Sequence, residues 1–190
     1  MWPWGHLAVA YLCFLLVTRY TNRVRQSPMA LVALATGSQF PDLVDKPLAW
    51  SVAVLPSGRS LAHSLITIVL VLAILDRVAA RYDRRALVAA FGIGWVSHAV
   101  SDLGPRVIVG LLRGDASQLR WTTYLLWPIL DSPPYPNDSS FLAHFMNFRI
   151  GPYVSAQFAL FALAIILWLY TGAPGARRAH HWIGRAMKRT

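Results

Sequence analysis

At 190 residues the chain is long enough for one domain. It is 56% hydrophobic and 14% charged, with a net charge of +10; soluble domains average about 45–50% apolar and about 25% charged residues. All eight acids are Asp, so the Glu that usually populates solvated helix faces is missing, and the one cysteine, Cys13, excludes an intrachain disulfide.

Five apolar segments follow one another: 5–18, 28–36 (running on through Gly37 to Phe40), 61–75, 86–100 and 152–171. The first lacks a basic leader and carries its charges after the apolar run, so it reads as part of the mature protein rather than a signal peptide. Trp2 and Trp4 just before it suit an interfacial anchor, or simple packing. Only the fifth segment reaches the ~20 residues of a spanning helix. The shorter ones require a thinned or tilted setting, and a buried soluble core is the competing expectation.

Charge placement favours the membrane. Arg19, Arg23 and Arg25 follow segment one; Arg77, Arg81, Arg84 and Arg85 separate segments three and four; Arg177, Arg178, Arg185, Lys188 and Arg189 follow segment five. These alternate connections hold twelve of the eighteen basic residues. If all five segments span, the positive-inside rule puts that side in the cytoplasm, the N-terminus outside and the C-terminus inside. It also accounts for the Arg-rich loops without nucleic acid. The fold expected is all-α: a polytopic membrane helical bundle of about five apolar helices over 1–172, with a basic cytoplasmic tail at 173–190. Residues 101–151 are rich in Gly and Pro breakers and read as an irregular extracytoplasmic loop region with one short apolar piece at 106–112.

On this topology the polar residues converge. His6 lies at the outer end of segment one, Asp42 and Asp45 just past segment two, where Pro41 sets a turn at the helix exit. His63 lies at the outer end of segment three, and His98 and Asp102 at that of segment four. His98 and Asp102 are four apart, about 40° around a helix, and share a face. Buried imidazoles and carboxylates in lipid point to function, and this donor mixture suits a divalent metal: Zn²⁺ first, Mn²⁺ or Fe²⁺ as alternatives. The metal ligands expected are His6, Asp42, His63, His98 and Asp102. Asp45 is expected to orient a metal-bound water or complete the shell, or else to be a loop carboxylate beside Lys46. Arg59 is expected to clamp a phosphate oxygen, or to meet lipid headgroups at the rim.

Gly5-His6, Gly37-Ser-Gln-Phe-Pro-Asp42-Leu-Val-Asp45, Gly58-Arg59-Ser-Leu-Ala-His63-Ser64, Gly94-Trp-Val-Ser-His98-Ala-Val-Ser-Asp102 and Trp127-Pro128 together resemble the YdjM-like family of membrane-bound metal-dependent hydrolases. The resemblance covers roughly residues 5–128. More distantly the order of these residues resembles zinc-dependent phospholipase C and the zinc single-strand nucleases. That likeness implies one metal on Asp42, His63, His98 and Asp102, and a second on His6 and Asp102, with Asp102 bridging. The soluble enzymes use further downstream His and Glu ligands. This chain has no Glu, and only His144 between His98 and the tail, so one or two ions are expected rather than three, with Asp138 and His144 as the available stand-ins. The tail pair His180 and His181 falls on the opposite side. The activity implied is hydrolysis of a phosphoester at the bilayer surface, a phospholipid being the natural substrate. A non-catalytic structural metal, a scaffold or a transport component are the alternatives.

Overall fold

The structure is a computed structural model that describes residues 1–21, 25–135, 140–146 and 148–176, the side chain of His144 excepted. Arg23, Asp138, the His144 side chain and the basic tail from Arg177 onward, His180 and His181 included, lie outside the described residues. The described residues are helical, with no strand. Helices form at all five apolar segments: α1 (Pro3–Tyr20), α2 (Pro28–Trp50), α3 (Leu65–Ala80), α4 (Arg85–Ser101) and, last in the chain, α7 (Pro152–Tyr170). Between α4 and α7 lie α5 (Gly104–Leu112), a 3-10 stretch (Ala116–Leu126) and the short α6 (Phe141–Met146). The 101–151 region is thus partly helical rather than irregular.

Length and apolarity together qualify one described helix, α7, to cross a membrane, or two if α4 and α5, bent by 80°, count as a single broken span. The described residues are thus all-helical as expected, but a bundle of about five membrane helices is not established. At 19 residues α7 measures about 28 Å, close to the hydrocarbon thickness. The other helices fall short for visible reasons. Asp42, Asp45 and Lys46 interrupt α2, and α3 has only 16 residues.

Two boundaries differ from the sequence expectation. Pro41 does not end α2; it lies buried inside the helix, as Pro47 lies further along. A helical proline loses the bond to the carbonyl four residues back and crowds it. Here that residue is Gly37, which has no side chain to add to the crowding. In α3 the helix starts at Leu65, four residues later than the apolar run, because Ser64 caps it: its hydroxyl accepts from the Ile66 amide at 3.2 Å. His63 therefore sits in a turn, not on a helix.

The helices pack through small residues. Gly5, Ala8 and Ala10 of α1, Ala30, Gly37 and Ser38 of α2, and Ala90, Gly92, Gly94, Ser97 and Ala99 of α4 are all buried. Small residues let helix backbones close on one another, the packing mode of helices in lipid. Meanwhile the outer faces are apolar: Val69, Leu70 and Ile74 of α3 and Ile166 and Leu169 of α7 are all exposed. A soluble bundle buries that face. This one directs apolar side chains outward and keeps His6, Asp45, His63, His98 and Gln157 inside.

The tightest approach is α2 against α4. A Cβ at Gly37 would sit 2.1 Å from the Phe91 carbonyl oxygen, and one at Gly94 would sit 2.3 Å from that of Leu34. Those oxygens are backbone and cannot step aside. Gly37→Ala should cost about 1–3 kcal/mol, the usual overpacking penalty, despite alanine's better helix propensity. Denaturant unfolding in detergent micelles measures it, with Gly151→Ala, where nothing lies within 4 Å of the added Cβ, as the clash-free comparison that loses only N-cap preference.

Candidate metal centre

Asp42, His63, His98 and Asp102 each offer one ligand atom to a common point, all four atoms lying within 4.8 Å of one another. The chain supplies them from three places: α2 gives Asp42, the turn before α3 gives His63, and the end of α4 gives His98 and, as its C-cap, Asp102. His98 and Asp102 lie one turn apart, as their spacing requires.

Hydrogen bonds at the far side of each ring decide which nitrogen faces inward. The Nδ1 of His98 lies 2.6 Å from the Ser38 carbonyl oxygen, which can only accept, so Nδ1 carries the proton. The Nδ1 of His63 lies 2.8 Å from Asp45 Oδ2 and is likewise the donor to a carboxylate. In both neutral rings Nε2 then holds a lone pair. Those two Nε2 atoms face each other at 3.2 Å, and Asp42 Oδ1 approaches them at 3.7 and 3.6 Å. Asp42 Oδ1 is buried and has no hydrogen-bond partner. Three lone-pair atoms pointed at one another repel unless a proton, shared between the two Nε2 atoms, or a metal cation lies among them. The spacing suits one, since tetrahedral zinc with bonds of about 2.0–2.1 Å separates its ligand atoms by about 3.3–3.4 Å. The donor set therefore fits a divalent metal.

His6 stands beside this group. Its ring stacks on His98 at 3.6 Å between centroids. Its Nδ1 lies 3.1 Å from the Ser101 hydroxyl, whose own proton goes to the His98 carbonyl at 3.0 Å. His6 Nδ1 must therefore donate, leaving its Nε2 as a lone pair, buried and without a hydrogen bond, 3.2 Å from Asp102 Oδ1. That contact has ion-pair distance without hydrogen-bond alignment. The Met1 ammonium reaches the same oxygen at 2.5 Å.

The two remaining expected residues are close by. Arg59 donates from Nε to Asp102 Oδ2 at 2.7 Å, and its guanidinium lies over the Tyr135 ring at 4.1 Å. Burial works against the Arg59 charge, but Asp102 and Tyr135 outweigh it and hold its pKa above the ordinary guanidinium value. Burial likewise opposes the Asp102 charge, yet Arg59 and the Met1 ammonium hold that carboxyl well below the usual range. For His63 burial lowers the pKa, while Asp102 and Asp45 together carry it above the usual histidine value.

Asp45 is fully buried and its oxygens are occupied. Oδ2 accepts from the Ser60 amide at 2.8 Å, the His63 amide at 3.2 Å and the His63 ring; Oδ1 accepts from the Ala62 amide at 2.8 Å. It is neither exposed nor in a loop: one turn beyond Asp42 on α2, it ties down the turn that carries His63. Lys46 pairs instead with Asp42, Nζ to Oδ2 at 2.6 Å.

Several partners were not foreseen from the sequence. The Ser38 carbonyl behind His98 left no signal, since any residue supplies a carbonyl. Ser101 and Tyr135 gave none above their surroundings. The Asp42–Lys46 pair was readable as an i,i+4 spacing.

Two outcomes follow for metal binding. Zn²⁺ should raise the thermal midpoint of wild-type protein and leave Asp42→Ala/His98→Ala unmoved, by differential scanning fluorimetry. Its affinity should climb as pH rises through a window above the ordinary histidine pKa, because the raised His63 must give up its proton to bind. Asp45→Asn keeps the size but loses acceptor capacity. It should weaken Zn²⁺ binding about 10–100-fold, the usual cost of losing a carboxylate behind a ligating histidine, read by competition with a chromophoric chelator.

No curated protein and no solved structure matches the chain. A family model does: that of the YdjM inner membrane protein covers residues 1–181. An outward apolar surface, an inward polar cluster and a spanning-length α7 agree with that assignment, and the chain belongs to the YdjM inner membrane protein family.

Proposed function

We propose that the protein is a membrane-bound, metal-dependent hydrolase that cleaves a phosphoester, a phospholipid being the substrate of choice, at the extracytoplasmic face. The observation that carries this reading is the set of donor atoms that His63, His98, Asp42 and Asp102 bring within 4.8 Å of one another, a set that could hold a metal ion, beside a guanidinium held on Asp102. Asp42, His63, His98 and Asp102 hold the ion. His6 Nε2 and Asp102 Oδ1 would be the donors for a second, with Asp102 shared, once that ion displaced the Met1 ammonium from Oδ1. When bound, a Zn²⁺-type ion lowers the pKa of its water from 15.7 toward about 7 and so supplies hydroxide at neutral pH.

The chain's own residues do the rest. Asp45 fixes the tautomer and direction of His63 and acts as a positioning residue. Arg59 stays cationic at the wall of the cluster and offers its planar fork to a phosphoryl oxygen. The apolar helix faces keep the site at the bilayer, where lipid phosphates lie. Arg19, Arg25, Arg77, Arg81, Arg84 and Arg85 lie at or just past the ends of α1 and α3 opposite His6 and His63, which under the positive-inside rule supports an extracytoplasmic cluster.

Four protein ligands also favour a second reading, a closed structural metal that holds short helices together. One experiment separates the two. Protein reconstituted in nanodiscs with Zn²⁺ or Mn²⁺ is supplied with phospholipid, lipid phosphate and aryl phosphate. Hydrolysis is expected, lost by at least 100-fold in His98→Ala and reduced in Arg59→Ala chiefly through KM. Absence of cleavage of every substrate, with His98→Ala indistinguishable from wild type apart from its melting point, leaves the structural reading in place.

A further inference from the structure

The site end of the molecule carries apolar side chains that no helix covers. Leu112 at the end of α5 is 82% exposed, Leu142 and Met146 of α6 are 70% and 75% exposed, and Ile150 just before α7 is 73% exposed. They belong to segments far apart in sequence. Exposed patches of this kind mark a surface that meets something apolar.

Three observations fix what that is. First, Ile150 precedes Pro152, the start of the spanning-length α7, by two residues, so it lies within about 8 Å of where that helix begins. Second, the segment before α7 is pinned against the helices. Phe148 packs edge-on to Trp2 at 4.8 Å, Trp2 stacks on Trp4 at 5.4 Å, and Trp4 stacks on Phe158 of α7 at 5.0 Å. The aromatic stack runs from the segment down onto the span. Third, α5 turns 80° from α4, so beside an α4 aligned with the bundle it runs along the bilayer face. Exposed Arg106 and Arg149 stand among these apolar residues, the mixture of grease and cation that sits at headgroup level.

We propose that α5, α6 and Phe148–Ile150 form an interfacial collar that inserts into the headgroup layer of the site-side leaflet, its apolar side chains meeting acyl chains and its arginines meeting phosphates. The collar places the mouth of the His–Asp cluster among phospholipid headgroups. It rests on the reading that the cluster lies at a bilayer face, but not on hydrolysis.

The test uses spin labels and needs neither metal nor turnover. In a Cys13→Ser background, single Cys replacements at Leu112, Leu142, Met146 and Ile150 are labelled with a nitroxide in phosphatidylcholine–phosphatidylglycerol nanodiscs. Ile166 in α7 and Arg81 in the turn after α3 serve as deep and aqueous references. Collision with oxygen against chromium oxalate gives depth. The four collar labels should fall between the references, near the headgroups, each shifted from Arg81 toward Ile166. Values matching Arg81 would show that the surface faces water or a soluble partner, and overturn the proposal. Dipolar broadening between like labels would show that a second copy covers the patch, and overturn it equally. Each variant's elution profile and helical circular dichroism establish folding. The sites are exposed, so a position that fails is replaced by its exposed neighbour Phe141 or Val109.

Discussion

Everything at the candidate metal centre depends on how closely α2 and α4 approach. Gly37 and Gly94 let the two backbones touch, and the contact lies one turn before the chemistry on both helices. Beyond Gly94 comes His98, whose Nδ1 reaches the Ser38 carbonyl at 2.6 Å. Beyond Ser38 comes Asp42, whose Oδ1 reaches His98 Nε2 at 3.6 Å. A side chain at either glycine would force the backbones apart, since its Cβ would meet a carbonyl oxygen at 2.1 or 2.3 Å. The glycines are thus part of the site, although they contribute no donor.

The third element arrives differently. His63 sits on a turn, and a turn is free to misplace a ring by more than a metal tolerates. Asp45 removes that freedom by accepting four hydrogen bonds from the turn's backbone and from His63 itself. A buried carboxylate is stable only when its lone pairs are taken. Here the satisfaction of Asp45 and the positioning of His63 are the same bonds. The cap on α3 adds a second tether, since the Ser64 hydroxyl donates to the Trp127 carbonyl at 2.5 Å and draws the 3-10 region over the cluster.

Sequence patterns that depend on local geometry were readable. The His98–Asp102 pair needed only helical spacing, and the five helices needed only apolar runs. Gathering His6, Asp42, His63, His98 and Asp102 at one end needed only alternation of helix direction. What escaped was set by distant partners. Pro41 signals a helix end to any local rule, yet the helix continues through it and through Pro47, with Asp42–Lys46 stapling the turn between them. Asp45 looked like a loop acid because its four partners come from residues 60–63, invisible until the chain folds back. The expectation of five crossings failed to gain support for another reason: α2 carries its charges inward, so its average apolarity falls below that of a spanning helix even while its outer face stays apolar.

The same inward charges bear on how firmly a metal is held. Asp42 keeps Oδ2 on Lys46 and leaves Oδ1 to the cluster. Asp102 gives Oδ2 to Arg59 at 2.7 Å. Asp42 thus has a fixed cation on one oxygen and the cluster on the other, whereas Asp102 turns to the cluster the same Oδ2 that Arg59 holds, 3.6 Å from His63 Nε2, and carries the Met1 ammonium on Oδ1. A carboxylate already shared with a cation is a weaker donor than a free one, and the fixed positive charge of Arg59 repels an incoming divalent ion. A site built only to staple helices gains from neither effect; bare carboxylates or thiolates would hold the ion more tightly. Arg59 compensates the buried Asp102 carboxylate, and a negative group visiting the cluster would in addition relieve that repulsion. A phosphoryl group would be drawn to both charges at once, so its binding and the metal's binding reinforce each other.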